Sequence, residues 1–258
     1  MTSSVRFDRA AEFYDRTRAV DDAAMARTIE LLANEVRGRG RVLEVGVGTG
    51  LLALPLHTTG VDVHGLDISA PMVAKLVEKA GGRVPFPVAL GDATAMPFAD
   101  GRLGAAYLRW VLHLIPEWRR VLAEVVRIVA PGGVFLANLG AYGGPRLEIQ
   151  RRFGEITGVP TTPVGLAWGA QDELDAEMWR LGAAVRELEP VRQGGEETIR
   201  SFLDEIRDNL FSWTWRVGDD ARLATVDELQ PWAAERFGDL DAPRRWEHTT
   251  VWPAYDLA

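Results

Sequence analysis

The sequence predicts an α/β fold in which helices cover both faces of a mostly parallel, doubly wound sheet. Three observations predict this fold. Short apolar strand patterns alternate with longer helical patterns between residues 38 and 140. The first strand pattern breaks into three glycines spaced two residues apart, and acidic residues follow the next two strand patterns. A chain of 258 residues, 47% of them apolar, is long enough to bury a substantial core, and we expect one domain over residues 1–258.

Residues 1–37 are expected to form a helical N-terminal cap in two pieces. Residues 10–14 predict a short helix, and Asp21 or Asp22 is expected to cap a second one. The second helix carries one apolar stripe, which consists of Met25, Ile29, Leu32, Ala33 and Val36.

The core over residues 38–140 opens with the segment Arg41-Val-Leu-Glu-Val-Gly-Val-Gly-Thr-Gly50. Val42, Leu43 and Val45 predict a short buried strand, the glycines predict a turn, and residues 51–57 predict a helix. A Cβ atom at the glycines would block both the tight turn and the approach of a ligand to the backbone. The segment therefore predicts a ligand site at a glycine turn before a helix.

The remaining core elements continue the alternation. Ser69 is expected to cap a helix that tolerates Pro71 in its first turn, and Pro131-Gly132-Gly133 is expected to separate a helix from the fifth strand. The expected strands are 61–66, 86–90, 103–108 and 134–139, and the expected helices are 69–80 and 117–129.

The organisation changes after residue 140. We expect a helical insertion or lid over residues 141–182, and C-terminal strands and helices that complete the sheet over residues 183–258. The expected elements are helices at 146–156, 171–181, 198–209 and 220–237 and strands at 184–191 and 245–251. Tryptophans are concentrated in this part of the chain, where they either fill a core or line an apolar substrate pocket.

The composition excludes several function classes. The chain has no cysteine, which excludes disulfides and thiolate chemistry, and no histidine or carboxylate cluster indicates a metal site. The net charge of −8 favours a small-molecule partner over nucleic acid. The sequence contains no apolar run of membrane-spanning length and no signal pattern, so we expect a cytoplasmic protein without a membrane partner. The oligomeric state stays open.

The glycine turn is compatible with two ligand classes. A nicotinamide-dependent oxidoreductase seats a pyrophosphate on a similar G-x-G-x-x-G turn. Here Leu51 stands where the third glycine of that spacing belongs, and Glu44 precedes Gly46 by two residues. A carboxylate at that place repels a pyrophosphate but suits an ammonium group. We therefore favour a ligand such as an amino acid sulfonium and keep the oxidoreductase as the alternative.

Polar residues at the ends of the next strands add to this site. Asp67 follows the second strand, Asp92 the third, and Arg109 the fourth. Ligands of open α/β sheets bind at the carboxyl ends of the strands, near the point where the strand order reverses. We expect Asp67 to accept hydrogen bonds from a ribose diol. We expect Asp92, together with the Ala93 amide, to bind the edge of an adenine.

These segments together resemble the class I S-adenosylmethionine-dependent methyltransferases, in particular the small-molecule group akin to the quinone-biosynthesis methyltransferases. The resemblance covers about residues 7–140 and rests on residues 13–15, 42–50, 65–69, 91–98 and 122–133. It implies a Rossmann-like sheet of about seven strands with an antiparallel last strand and an insertion after strand five. The implied cofactor is S-adenosylmethionine.

The resemblance also implies roles for individual residues. Ile68 and Met72 would pack on the adenine, the Arg109 carbonyl would face the amino acid end of the cofactor, and Tyr14 and Arg18 would close over it. The implied cofactor-binding residues are Tyr14, Arg18, Glu44, Gly46, Val47, Gly48, Asp67, Ile68, Met72, Asp92, Ala93 and Arg109.

The implied reaction is an in-line methyl transfer to oxygen, nitrogen or carbon of an acceptor. The aromatic-rich segment after residue 140 predicts that this acceptor is small and apolar or aromatic. Such a reaction mainly requires alignment of the reactants and exclusion of water. His113 is the candidate general base for an acceptor that must lose a proton. The other interpretation of His113 is a helix residue packed among apolar neighbours. A non-catalytic S-adenosylmethionine-binding protein is a further hypothesis.

Overall fold

The structure is a computed structural model that describes residues 4–18, 21–140 and 143–258, without the side chain of Arg18. The described residues form two compact units. The first unit comprises the described part of Met1–Gly140 together with Val164–Gln193 and Thr249–Ala258. The second unit comprises the described part of Ala141–Pro163 together with Gly194–His248.

The described strands are β1 (Arg41–Val45), β2 (Asp62–Asp67), β3 (Val88–Leu90), β4 (Leu103–Arg109), β5 (Val129–Asn138), β6 (Ala184–Arg186), β7 (Val191–Glu197), β8 (Arg244–Thr250) and β9 (Ala254–Asp256). Seven of them form one sheet with the order β3-β2-β1-β4-β5-β9-β6. Strands β1 to β5 pair in parallel, whereas β9 runs antiparallel to both of its neighbours. The predicted doubly wound sheet with an antiparallel last strand is therefore confirmed, and its switch point lies between β1 and β4.

The described helices are α1 (Tyr14–Arg18), α2 (Asp22–Val36), α3 (Ala53–Thr58), α4 (Ala70–Lys79), α5 (Trp118–Ile128), α6 (Gly144–Thr157), α7 (Gln171–Arg180), α8 (Ile199–Arg207) and α9 (Asp219–Phe237). The predicted caps of α2 and α4 are present. Asp21 Oδ1 accepts a hydrogen bond from the Ala24 amide at 2.8 Å, and Ser69 Oγ accepts one from the Met72 amide at 3.3 Å. Among these described helices, none has the length and apolar character needed to cross a membrane.

The central strands are buried on both faces because helices cover each side of the sheet. Leu43 and Val45 belong to a core that includes the apolar face of α5. Val42 points to the opposite face and packs with residues of α2 and α3. Strands buried on both faces appear in sequence as nearly continuous apolar runs, which is why β1 was readily predicted.

The second unit has its own aromatic core. Phe211 stacks on Trp213 with ring centroids 5.3 Å apart, and Phe153 meets the same tryptophan edge-on at 5.2 Å. In this unit Trp213 therefore fills a core. The exposed Trp246 in β8 does not, and neither does the exposed Trp179 in α7 of the first unit.

The C-terminal strands differ from the prediction. The strand expected at 184–191 ends at Arg186, and β7 begins separately at Val191. The strand expected at 245–251 is β8, which pairs with β7 in a separate two-stranded sheet. The strand that completes the main sheet is β9, which the sequence analysis missed. A strand between β5 and β6 must be buried, and Ala254 and Tyr255 are buried there, whereas β8 is polar and mostly exposed.

Two further boundaries also differ. The short first helix expected at 10–14 is a 3-10 turn over Asp8–Ala10 followed by α1. The fifth strand begins at Val129 rather than after the Pro-Gly-Gly segment, because Val129 pairs with Leu103 across an irregularity in the ladder. The Pro-Gly-Gly segment therefore forms part of β5.

Candidate functional site

The glycine turn after β1 lies at the switch point of the sheet. Gly46, Gly48 and Gly50 have φ values of +77°, +53° and +75°, a region that side chains disfavour. A Cβ atom at Gly46 would lie 2.6 Å from Val111 Cγ2. A Cβ atom at Gly48 would lie 3.1 Å from Met72 Cε. The glycines therefore form a turn, the glycine cradle, that passes close to Val111 and Met72 and has no side chains of its own over its backbone at these positions.

Backbone hydrogen bonds hold this turn against the end of β2. The amides of Gly46 and Val47 donate to the Leu66 carbonyl at 2.7 and 3.0 Å. The Val47 side chain packs over Gly65, where a Cβ atom would lie 3.0 Å from the Val47 methyl groups. The turn is consequently fixed beside Asp67, the last residue of β2.

The Asp67 carboxylate joins β2, the turn and α4. Its Oδ2 accepts a hydrogen bond from the Gly48 amide at 2.7 Å, and its Oδ1 accepts one from the Ser69 amide at 2.8 Å. Burial raises the pKa of this carboxyl group, and the hydrogen bonds from the two amides oppose the rise. A carboxylate has about four lone-pair sites. Each oxygen of Asp67 can therefore accept a further hydrogen bond, as a ribose diol requires.

Glu44 is a buried acid on the face of β1 that points towards α2 and α3, with 4% of its surface exposed. Tyr107 is its register partner on β4, and Tyr107 Oη donates to Glu44 Oε2 at 2.9 Å. Burial raises the pKa of Glu44 to about 8, although the hydrogen bond from Tyr107 and the charge of Arg109 act in the opposite direction. A cationic partner would therefore strongly stabilise the ionised form of Glu44.

The loop after β3 brings two of the predicted residues beside the end of β2. Asp92 and Ala93 are half-buried, and Asp92 Oδ1 accepts hydrogen bonds from the Thr94 amide and hydroxyl, both at 2.8 Å. Asp92 Oδ2 accepts no hydrogen bond from the described residues. Across the site, Ile68 is half-buried and Met72 is buried at the start of α4.

The N-terminal segment is fastened to the turn by a residue that sequence reasoning did not assign. Asp15 Oδ1 accepts a hydrogen bond from Thr49 Oγ1 in the glycine turn at 2.5 Å, and Asp15 Oδ2 pairs with Lys79 Nζ at 2.6 Å. Glu12 pairs with Lys75 at 3.0 Å. These partners are distant in sequence, so no local pattern could have indicated the contacts.

The same segment also reaches the loop after β4, where the Val5 amide donates to the Leu114 carbonyl at 2.9 Å. Tyr14 is half-buried and meets Phe7 edge-on, with ring centroids 5.9 Å apart. The Arg18 side chain lies outside the described residues. The closing role expected of Tyr14 and Arg18 stays a prediction.

The end of β4 has an unusual backbone. Arg109 is the register partner of Asn138 on β5. Trp110 follows with a φ of +58°, which is rare for a bulky residue. Its amide donates to the Asn138 carbonyl at 2.8 Å, and the Arg109 guanidinium lies 4.0 Å from the centre of its ring. Sequence reasoning assigned Arg109 to the cofactor and gave Trp110 no role.

His113 lies in a 3-10 turn over Leu112–Leu114, beyond β4 as expected. Its half-buried ring is 5.8 Å from that of Trp168, and its carbonyl accepts a hydrogen bond from the Gly165 amide at 3.1 Å. His113 is thus less buried than its neighbour Leu112, which is fully buried. Its role as a base stays a prediction.

Residues 43–137 match a family model described as a methyltransferase domain. The chain is also 30% identical over 168 residues to a phosphatidylethanolamine N-methyltransferase from Cereibacter sphaeroides. The aligned region covers 63% of this chain and 79% of that protein. The chain belongs to the S-adenosylmethionine-dependent methyltransferases.

Another relative in this methyltransferase family is a demethylmenaquinone methyltransferase from Renibacterium salmoninarum. It is 35% identical over 130 residues, which are 49% of this chain and 54% of that protein, so the chain spans about half the length of this relative. A solved structure of a putative methyltransferase from Bacillus halodurans has a TM-score of 0.59 at 18% identity and covers 92% of this chain and 99% of that one. This likeness shows the shared fold.

The cofactor of these methyltransferases is S-adenosylmethionine, and the site fits it in three respects. The backbone of the glycine cradle carries no side chain at Gly46 and Gly48, as the approach of a ligand to the backbone requires. Asp67 has acceptor positions for a ribose diol, and Glu44 is a buried acid beside the turn. A nicotinamide cofactor, the alternative weighed from the sequence, would instead place a pyrophosphate near that acid.

Proposed function

We propose that this methyltransferase transfers the methyl group of S-adenosylmethionine to oxygen, nitrogen or carbon of a small, apolar or aromatic acceptor by in-line displacement. The observation that carries the proposal is the meeting of the glycine cradle, Asp67 and buried Glu44 at one end of the sheet. The relatives support a small acceptor, because they are named for demethylmenaquinone and phosphatidylethanolamine, neither of which is a macromolecule.

The bound cofactor supplies a sulfonium-linked methyl group that is already electrophilic. Gly46, Val47 and Gly48 would carry its methionine portion on the turn. Asp67 would accept hydrogen bonds from both ribose hydroxyls, which are charge-assisted and therefore strong. Glu44 would hold the ammonium group in its ionised form.

The other predicted residues would complete the binding site. Ile68 and Met72 would enclose the adenine ring, which Asp92 would bind through its free Oδ2 and Ala93 through its amide. The Arg109 carbonyl would face the amino acid end.

Water must be excluded while the acceptor is aligned with the methyl group. Tyr14 and Arg18 would close over the cofactor, and the Asp15 contact with Thr49 supports this role because it holds α1 against the turn. His113 would accept the acceptor's proton where the attacking atom carries one.

The direct test is calorimetric titration with S-adenosylmethionine, S-adenosylhomocysteine and NAD in parallel. We expect micromolar binding of the first two and none of NAD; binding of NAD alone would overturn the proposal. A panel of aromatic and lipid acceptors with radiolabelled methyl donor then tests turnover. Tight cofactor binding without any methylated product across the panel would instead support the non-catalytic alternative.

Substitution of His113 tests the base. His113→Ala should lower kcat by about 10²-fold or more on an acceptor that must lose a proton, as is typical for loss of a general base, with an unchanged cofactor Kd. His57→Ala is the matched control, because His57 lies in α3 beside Phe86 and should leave kcat unchanged. Full activity of His113→Ala would make the residue structural.

A cytoplasmic location, with neither nucleic acid nor membrane as a partner, completes the proposal. It rests on the net charge of −8 and on the composition of the chain.

A further inference from the structure

Two buried polar atoms at the carboxyl ends of β4 and β5 have no hydrogen-bond partner among the described residues. They are the indole nitrogen Nε1 of Trp110 and the side-chain oxygen Oδ1 of Asn138. One is a donor and the other an acceptor. A buried polar atom without a partner costs about 1–3 kcal/mol, and such atoms in a folded protein usually have a functional reason.

The two residues are adjacent in space. The Trp110 amide donates to the Asn138 carbonyl at 2.8 Å. The Arg109 guanidinium stacks on the Trp110 ring, and Arg109 is the register partner of Asn138, so their side chains leave the sheet on the same face. A Cβ atom on Gly140, two residues after Asn138, would lie 2.7 Å from Trp110 Nε1. Both unsatisfied atoms therefore belong to neighbouring residues at the carboxyl ends of β4 and β5.

The local geometry keeps both atoms in place. Asn138 is 3% exposed, and its Nδ2 donates to the Val251 carbonyl at 2.9 Å, which directs Oδ1 away from that carbonyl. Trp110 adopts its left-handed backbone at φ +58°, a strained conformation of the kind found at functional sites. Gly140 lacks the side chain that would collide with the indole.

Trp110 Nε1 and Asn138 Oδ1 are neutral, so they suit a different ligand group from the charged side chains of the site. Glu44 is an anion for the ammonium of the cofactor, and Arg109 brings a cation near the same end of the strands. Trp110 Nε1 and Asn138 Oδ1 lie at the ends of β4 and β5, whereas Glu44 lies on β1. A hydroxyl group both donates and accepts hydrogen bonds, and so satisfies both atoms at once.

We propose that Trp110 Nε1 and Asn138 Oδ1 form the subsite for a hydroxyl group on an aromatic methyl acceptor. The hydroxyl donates to Asn138 Oδ1 and accepts from Trp110 Nε1, which fixes the orientation of the acceptor and selects phenol-like compounds over their ethers. This inference rests on the proposed function, since it names the acceptor class for the same site.

The first test observes the indole N–H groups by NMR on protein labelled with ¹⁵N-tryptophan and saturated with S-adenosylhomocysteine. Trp110→Phe identifies the Trp110 signal, because the variant lacks it. The phenylalanine ring still packs against Arg109 and Gly140. We expect 2-naphthol to move the Trp110 indole proton downfield, with a smaller effect from 2-methoxynaphthalene. Trp252 is the matched control because its indole nitrogen is also buried and has no partner among the described residues, but it lies within the core.

The outcomes separate the inference from the proposed function. A shift on S-adenosylhomocysteine alone, with none on 2-naphthol, assigns the two atoms to the amino acid end of the cofactor and overturns the inference. A Trp110 signal that neither compound moves overturns it as well. Failure of S-adenosylhomocysteine to bind in calorimetry would instead contradict the proposed function itself.

A second variant tests the acceptor atom. Wild-type protein should bind 2-naphthol at least about tenfold more tightly than 2-methoxynaphthalene, because a site built for a hydroxyl disfavours an analogue that cannot donate. Asn138→Leu should remove most of this preference and leave the Kd of S-adenosylhomocysteine unchanged. An Asn138→Leu protein that binds the cofactor product normally and keeps the full preference overturns the assignment of Oδ1.

Discussion

At the scale of single residues, Glu44 gives the site a measurable pH dependence. Its carboxyl group is buried beside Tyr107, Arg109 and Asp67, and burial raises its pKa to about 8. Below that pH the free protein holds a proton on Glu44, whereas pairing with an ammonium group requires the ionised form. Cofactor binding should therefore release this proton.

The affinity for S-adenosylmethionine should consequently rise between pH 6.0 and 7.5, by up to about tenfold per pH unit. Calorimetry in two buffers of different ionisation enthalpy will count the released protons. Glu44→Gln should abolish both the pH dependence and the proton release. A wild-type affinity that is flat over this range would show that Glu44 does not pair with the cofactor.

Glu44 also makes the free energy of unfolding depend on pH, with the opposite sign to the pH dependence of cofactor affinity. Between pH 4.5, the ordinary value for glutamate, and pH 8, the folded protein keeps the Glu44 proton and the unfolded chain loses it. The free energy of unfolding should therefore contain a contribution from Glu44 that falls as pH rises through this window. Urea titrations of wild type and Glu44→Gln at pH 5 and pH 8 measure it. An equal change in both proteins would contradict the assignment.

Asp67 gives a second prediction at this scale. Asp67→Ala removes two charge-assisted hydrogen bonds to the ribose and should weaken cofactor binding by about 2–3 kcal/mol. Asp62→Ala is the matched control, because Asp62 is an exposed residue at the opposite end of β2. Calorimetry on both variants compares them. Unchanged binding by Asp67→Ala would show that the ribose assignment is wrong.

Some residues of the candidate site could be predicted from the sequence and others could not. Glu44 and Asp67 were predicted because each stands at the end of a recognisable strand. Asp15, Trp110 and Asn138 were missed because their contacts join segments that are far apart in the chain. A single sequence carries no signal for a buried atom that lacks a partner.

At the scale of elements, two glycine variants distinguish the effect of backbone strain from the effect of blocking the ligand at the glycine turn. Gly48→Val should abolish cofactor binding, because the new side chain would meet Met72 and fill the cradle. Gly60→Val is the matched control, because Gly60 has a φ of +88° and no described residue lies within 4 Å of its Cβ position. This variant should lose stability without losing cofactor binding. Circular dichroism checks folding, and calorimetry checks binding. Cofactor binding by folded Gly48→Val would contradict the cradle.

Sequence patterns predicted some secondary-structure elements correctly and missed others. The predicted strands β1, β2 and β4 are largely buried, and their segments are apolar in sequence. The segment that became β8 has the composition of a strand, and local pattern alone cannot decide which sheet a strand joins. Strand β9 is only three residues long and follows Pro253, so its position depends on pairing with β5 and β6 rather than on its own sequence.

At the scale of the whole molecule, the two compact units raise the question of how many cooperative transitions the chain has. The sequence predicts one domain, and we retain that as a proposal. One domain should unfold in a single calorimetric transition whose van't Hoff and calorimetric enthalpies agree. The cofactor site is built from residues of the first unit, so a ligand of this site distinguishes one transition from two.

Addition of S-adenosylhomocysteine at about 100 times its Kd stabilises the folded state by about 2.7 kcal/mol. For a chain of this size, that corresponds to a rise in Tm of roughly 5–10 °C. If the chain is one domain, the fluorescence of the second unit's Trp213 and the overall heat capacity should report the same raised Tm. Trp213→Phe identifies the contribution of that tryptophan. A Trp213 transition that stays at its original temperature while another rises would show that the two units unfold independently.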